Sequence, residues 1–287
     1  MTTTTVRATV TAVELEAILA PRHGVVGECR VDQVEPAAAR GPRTVSFAQA
    51  EGPLRSYRRS VTYAADGRGQ VDLTQQVRLQ VGIPGFSWLF AYPLRLHTAR
   101  LGALSNSPWW APPARLPRRS AVVLSTLCLL TVTVGYLSSL LADTLTYAAA
   151  DFHAGRGAQG VALGVVEAGA VAALLLLHLA DRHGRRPVLR WALLASAATS
   201  AMTALAPSLE VLTILQLVSA SLVGAGFVII AVMAVEEMPA GARAWAVGVI
   251  GMSFGLGSGI TLAVLPLAGM GHSGWRWPYA ISVLGGS

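Results

Sequence analysis

The chain has 287 residues, 53% of them hydrophobic and only 13% charged, with a formal net charge of +7 and a mean hydropathy of +0.53. That composition excludes a disordered or wholly water-exposed polypeptide, and two distant cysteines, Cys29 and Cys128, exclude a disulfide framework. The basic excess does not call for nucleic acid: all 22 basic residues are arginine, and membrane loops beside an anionic inner leaflet account for them.

Residues 1–119 hold fifteen of the arginines and eight of the fifteen acids, while the remainder is dominated by Ala, Val, Leu and Gly. The expected organisation is therefore a soluble domain over 1–103, a linker over 104–119 and a membrane domain over 120–287. The N-terminus, Met1 to Arg7, has no apolar core after its charge, so no cleavable signal peptide is expected.

Short segments with strand character run over Val6–Val13, Glu28–Val34, Val45–Ala50, Tyr57–Tyr63 and Val71–Val81. The last two flank Asp66-Gly67, a strong hairpin signal. Alternation slips partway along Val71–Val81, which predicts a bulge or an ambiguous register. Leu15–Leu19 could form a short helix. An aromatic, amphipathic helix is expected from Gly85 to Leu101, kinked at Pro93. A curved antiparallel sheet followed by a helix resembles the SRPBCC fold over about residues 6–100, and the resemblance implies an apolar ligand held between sheet and helix. That fold usually has two helices after its first strand. The alternatives are a merely structural β-rich domain or, for residues 86–101, an interfacial helix with Trp88, Phe90, Tyr92, Arg95 and Arg100 at the headgroups.

Residues 104–119 carry four prolines, which break both helix and sheet. Trp109 and Trp110 suit a membrane interface, with Arg115, Arg118 and Arg119 anchoring the first span. Apolar runs then give five full transmembrane helices, at 120–143, 158–180, 188–206, 211–235 and 244–268, and a sixth begun over 276–287. The fold class is thus mostly α: a polytopic helix bundle behind a small β-rich α+β domain. Counting arginines by loop puts Arg115, Arg118, Arg119, Arg182, Arg185, Arg186, Arg190 and Arg243 on one side, against Arg156 and Arg276 on the other. The positive-inside bias makes the first side cytoplasmic, with the N-terminal domain on it.

Between the second and third runs lies Asp181-Arg182-His183-Gly184-Arg185-Arg186. This order, between two spanning helices, resembles the signature loop of the major facilitator superfamily of transporters. The resemblance implies the N-terminal half of such a transporter in the plasma (inner, cytoplasmic) membrane, working by alternating access. It also implies that Asp181, Arg182, Gly184, Arg185 and Arg186 form a conformational latch. The family's opening glycine is Leu177 here. A second turn, Glu236-Glu237-Met-Pro239-Ala-Gly-Ala-Arg243, is similar to the family's acidic pattern after its fourth helix. Acids at a helix C-terminus oppose the macrodipole and want cations, so an ion network is expected between the two turns.

Gly251, Gly255 and Gly259 form a small-residue stripe for close helix packing. They also look like the fifth-helix motif of efflux antiporters, though Leu256 and Ile260 stand where that motif has proline and glycine, and the fourth run lacks the antiporters' arginine. Efflux is the preferred direction. Two acids lie within the apolar runs: Glu167, about 21 Å from Asp181 along a helix, and Asp143 at the outer end of the first run. Intramembrane carboxylates are costly unless they face a cavity, so both are candidates for a substrate or proton path, and Asp143 could equally be a solvated cap.

His153, His178, His183 and His272 lack metal-ligand spacing, and no catalytic set or phosphate loop is present, so neither enzyme activity, cofactor nor metal is expected. The expected partners are the bilayer, a small-molecule substrate, and a C-terminal half or second copy, because five helices and a start do not enclose a two-bundle pathway. The other reading is a membrane-anchored protein whose soluble domain binds an apolar ligand or lipid.

Overall fold

The computed structural model describes residues 2–33, 42–65, 70–102, 108, 110–271 and 273–282. The Asp66-Gly67 turn, Trp109, His272, linker residues 103–107 and the end of the sixth helix lie outside them. The chain divides into two units, one of Met1–Thr126 with Glu237–Ala246 and one of Leu127–Glu236 with Val247–Ser287.

In the first unit, β1 (Thr2–Thr11), α1 (Ala12–Leu19), β2 (Gly27–Gln33), β3 (Arg43–Glu51), β4 (Leu54–Ala65), β5 (Gln70–Val81) and α2 (Ser87–Ala99) follow one another. The sheet is antiparallel in the order β1-β5-β4-β3-β2. Thr11 and Glu14 close a capping box that turns β1 into α1. The expected irregularity along Val71–Val81 lies at its end, where the β4–β5 ladder shifts between Leu54/Val81 and Ser56/Gln80. Elsewhere β5 pairs in unbroken register with β1 from Thr2/Leu79 to Thr11/Gln70, and with β4 from Ser56/Gln80 to Ala65/Val71. Gln75 is a polar residue on the apolar face, in phase with Leu73 and Val77 and buried between them, and it interrupts the apolar alternation.

Two apolar clusters cover this face. One gathers Val10, Ile18, Val45, Phe47, Val61 and Leu73, the other Val26, Leu54, Tyr57, Val77, Leu79 and Leu94 of α2.

The helices of the second unit are α3 (Arg118–Asp151, whose first turns belong to the first unit), α4 (Arg156–Glu167), α5 (Gly169–His183), α6 (Arg185–Thr203), α7 (Leu209–Glu237), α8 (Arg243–Val264) and α9 (Arg276–Ile281). Among the described residues, four helical stretches are long and apolar enough to cross a membrane: Arg118–Asp151, Arg156–His183, Leu209–Glu237 and Ala240–Gly269. Four of the five expected runs are among these stretches, and the run at 188–206 is not. α6 stands where the run at 188–206 was expected, but it opens on Arg185, Arg186 and Arg190 and buries Ser196, Ser200 and Thr203. Thr203 and Ser196 meet α7, where Gln216 Nε2 donates to Thr203 Oγ1 at 2.9 Å and Ser219 Oγ to the Ser196 carbonyl at 3.3 Å.

The 158–180 run is one helical stretch, Arg156–His183, with a local irregularity at Ala168, which keeps helical backbone angles (φ −62°, ψ −17°). Ala168 ends α4 and starts α5, its N–H shared between the Gly164 and Val166 carbonyls. Beside it, Gly169 lies so close to α7 that a Cβ there would stand 2.8 Å from Ser221 Oγ.

The tightest crossing joins α3 to α8. A Cβ on Gly135 would come within 2.1 Å of the Phe254 carbonyl, and one on Gly257 within 2.1 Å of the Val132 carbonyl. Ser139 and Ser258 hydroxyls meet at 2.8 Å beside them. Gly251, Gly255 and Gly259, expected to make such contacts, are exposed and have nothing near. They lie off the face that α3 occupies. At the other end of α3, buried Trp275 donates its indole N–H to Asp151 at 3.0 Å, and the buried Tyr279 hydroxyl meets Thr144 Oγ1 at 2.9 Å. These contacts fasten α9.

Candidate functional site

The α5–α6 turn is a single residue, Gly184, with φ of 90°. Side-chain-bearing residues rarely adopt that conformation, so glycine is what allows α5 to reverse into α6 so abruptly. The reversal leaves Arg185 and Arg186 as the first residues of α6. Cations are disfavoured at the positive end of a helix, and acids at the negative end, where Glu236 and Glu237 finish α7. The structure pairs the misplaced charges: Arg185 meets Glu236 in a close ion pair and reaches Asp181, one turn earlier, at 3.7 Å. Hydrogen bonding to Glu236, reinforced by both carboxylates' charge, holds the Arg185 guanidinium above its ordinary value. Arg185 therefore joins α5, α6 and α7 at one exposed point.

The other latch candidates divide. Glu237 pairs with Arg119 of α3 at 3.7 Å, and its carbonyl accepts from Ser120 Oγ at 3.0 Å. Arg243 turns to the backbone, donating Nε–H to the Met238 carbonyl at 3.4 Å. Arg182 is exposed, and Arg186 makes further interactions of its own. The sequence marked Arg119 only as an anchor, although its position at the start of a helix that must lie near the other turns was a usable signal.

Glu167 is the last residue of α4, exposed, immediately before Ala168. Asp143 is half-buried inside α3, which continues eight residues beyond it to Asp151. It is therefore not the helix's terminal cap. It lies about 38 Å along α3 from Arg118 at 1.5 Å per residue, past the roughly 30 Å hydrocarbon thickness.

A different arrangement occupies the first unit, on the apolar face of its sheet. Arg59 and Glu28 are fully buried and paired at 2.5 Å. Glu28 also accepts from the Tyr57 hydroxyl at 2.6 Å and the Arg22 N–H at 3.0 Å. Arg59 donates to the Ile18 and Ala20 carbonyls and stacks 4.1 Å over the Phe47 ring. Arg22 spans to Gln75 Oε1 and to the Thr98 and Arg100 carbonyls of α2. Burial alone would raise the Glu28 carboxyl; the hydrogen bonds and charge of Arg59, with Tyr57 and Arg22, outweigh it and hold it below its ordinary value. Burial and the Glu28 carboxylate push the Tyr57 hydroxyl up. The place where the SRPBCC resemblance implied an apolar ligand thus contains a buried layer of charge paired mostly with protein groups, in which the Arg22 Nε has no hydrogen-bond partner. Sequence reasoning missed it, although Arg59 and Gln75 stand in phase with apolar neighbours.

Among the described residues no cluster of three or more His, Cys, Asp or Glu is placed to hold a metal ion.

The model of the Major Facilitator Superfamily matches residues 127–286, more than half of the chain, from the third turn of α3 onward. No curated protein matches the chain. With at least four spanning stretches and the paired turns in place, the chain belongs to the major facilitator superfamily: it is a multi-pass membrane protein of a family that moves small molecules across membranes.

Proposed function

We propose that this chain forms the N-terminal bundle of a small-molecule exporter that works by alternating access in the cytoplasmic membrane, with its soluble domain in the cytoplasm. In this reading α6 is the fifth spanning element, although it is less apolar than the other four, and α9 begins the sixth. A second bundle, from a continuing chain or another copy, completes the pathway. It would meet the exposed side of α8, where Gly251, Gly255 and Gly259 leave room for close approach. The arginine count over the loops supports the orientation.

The observation that carries the reading is the position of Glu167. A carboxylate within a spanning helix, at membrane depth and exposed rather than packed, is costly unless it serves a substrate or proton path. Glu167 takes up a proton or a cationic substrate, and Asp143 attends the outer end of the same path. Asp181, Arg185 and Glu236 act as the latch, with Gly184 setting the turn and Arg182, Arg186, Glu237 and Arg243 around it. An ion pair between charges that each helix end disfavours is made and broken with little net cost, which suits a part that must release in every cycle. The soluble domain is read as an accessory to this unit, because a buried charge layer fills the position of an apolar ligand.

The test uses everted membrane vesicles containing the full chain, a proton gradient and a panel of fluorescent lipophilic amphiphiles. Gradient-driven accumulation is expected, and Glu167→Gln should abolish its dependence on pH. Accumulation no greater than in vesicles lacking the protein, or unchanged in the variant at every pH, would overturn the proposal.

A further inference from the structure

α2 has one satisfied face and one that is not. Leu94 and Thr98 are buried against the sheet, and Phe90 packs on the same apolar cluster. On the opposite side Tyr92 is 68% and Leu96 53% exposed, one turn apart, with exposed Arg95 between them and exposed Arg100 at the C-cap. Arg95 is steadied by an Nε–H bond to Thr4 Oγ1 at 3.0 Å.

What covers this face is indicated by where α2 starts. The Pro84 carbonyl, three residues before the helix, accepts from Ser125 Oγ at 2.5 Å. Ser125 lies seven residues into α3, about 10 Å along the axis from Arg118 at 1.5 Å per residue. Arg118 and Arg119 are exposed at the head of that spanning helix, where arginines mark the polar boundary of a bilayer. The start of α2 is thus tied to a level just inside that boundary. An amphipathic helix resting on a membrane buries its apolar face about 5–10 Å into the headgroup and acyl boundary.

We propose that α2 lies on the surface of the bilayer that α3 crosses, with Tyr92 and Leu96 in the headgroup–acyl boundary and Arg95 and Arg100 on the phosphates of anionic lipids. The two arginines, beside Arg118 and Arg119, supply charge complementary to that surface, and α3 supplies continuity with the membrane. The soluble domain is then a docked domain rather than one swinging on its linker. The inference needs only that α3 spans; it stands whether or not the helices transport anything.

Spin labels test it in the full chain, with Cys29→Ser and Cys128→Ala as background. Tyr92→Cys, Leu96→Cys and, as an off-helix site, Val13→Cys (80% exposed on α1) are labelled one at a time. The protein is placed in nanodiscs of phosphatidylcholine with phosphatidylglycerol, and accessibility to oxygen and to a water-soluble nickel chelate is measured. Positions 92 and 96 should favour oxygen and position 13 nickel. Two labels one turn apart guard against a local defect from either substitution. Arg95→Glu with Arg100→Glu, or phosphatidylcholine alone, should shift both α2 labels toward nickel. Nickel accessibility at 92 and 96 equal to that at 13 would overturn the docking, as would labels shielded from both reagents, which would mean a protein partner. Immersion indifferent to lipid charge would overturn the role given to the arginines.

Discussion

Glu28 and Arg59 in the first unit lie wholly out of water, whereas Arg185 and Glu236 in the second lie partly in the open, yet both pairs join segments far apart in sequence. The buried pair is held by carbonyls, a tyrosine and a backbone N–H on every side. It has no alternative partner without being desolvated for nothing, so it fixes one arrangement of α1, β2, β4 and α2. The exposed pair has water as its competitor, so it adds little stability and can exchange. Ion pairing therefore specifies a fold in one unit and remains available for motion in the other.

The largest effect should come from breaking the buried pair. Arg59→Ala leaves Glu28 charged, dry and short of donors, and should cost the soluble domain about 3–5 kcal/mol, read as a lowered melting transition of that unit by calorimetry. An unchanged transition would mean that water enters the layer and that the contrast between the units is false.

Close behind is the α3–α8 crossing. Gly135→Ala puts a methyl group against the Phe254 carbonyl and should cost about 1–3 kcal/mol by overpacking, measured as thermal stability in detergent. Gly255→Ala, on an open face, should cost almost nothing in the same assay. Equal effects would show that the phase of α8 is different.

The third effect concerns pH. A carboxyl held below its ordinary value of 4.5, as Glu28 is, contributes stability that is fully present above that value. The contribution is lost as pH falls through the depressed value in the folded state. Denaturant midpoints of the soluble unit should be flat above the ordinary carboxyl range and fall below it, and Glu28→Gln should remove that acid dependence while lowering the plateau.

The contrast between the units also explains what the sequence disclosed. Strands were readable because Val71, Leu73, Val77 and Leu79 keep a period of two, and the latch was readable because Asp181 to Arg186 are contiguous. The charge layer was not, because Arg22 finds Gln75 and Thr98 only after the sheet has folded. Gln75, polar on the apolar face, interrupts the apolar alternation, while the register shift itself lies at Val81 and Gln80. The glycines of α8 show a similar limit. Their helical spacing was plain, but only the position of Gly135 on α3 decides that Gly257, and not Gly251, Gly255 or Gly259, makes the contact. α6 reads as a span from its apolar run alone, although it opens on Arg185, Arg186 and Arg190 and meets α7 through Thr203 and the Ser196 carbonyl.

The most direct test of the central claim is a charge reversal at the latch. Arg185→Glu and Glu236→Arg, singly and together, are compared in the vesicle accumulation assay and in thermal stability. The account predicts that each single reversal abolishes accumulation with little change in melting, and that the double reversal restores it. Single variants that accumulate like the parent, or a double variant no better than either single one, would contradict it.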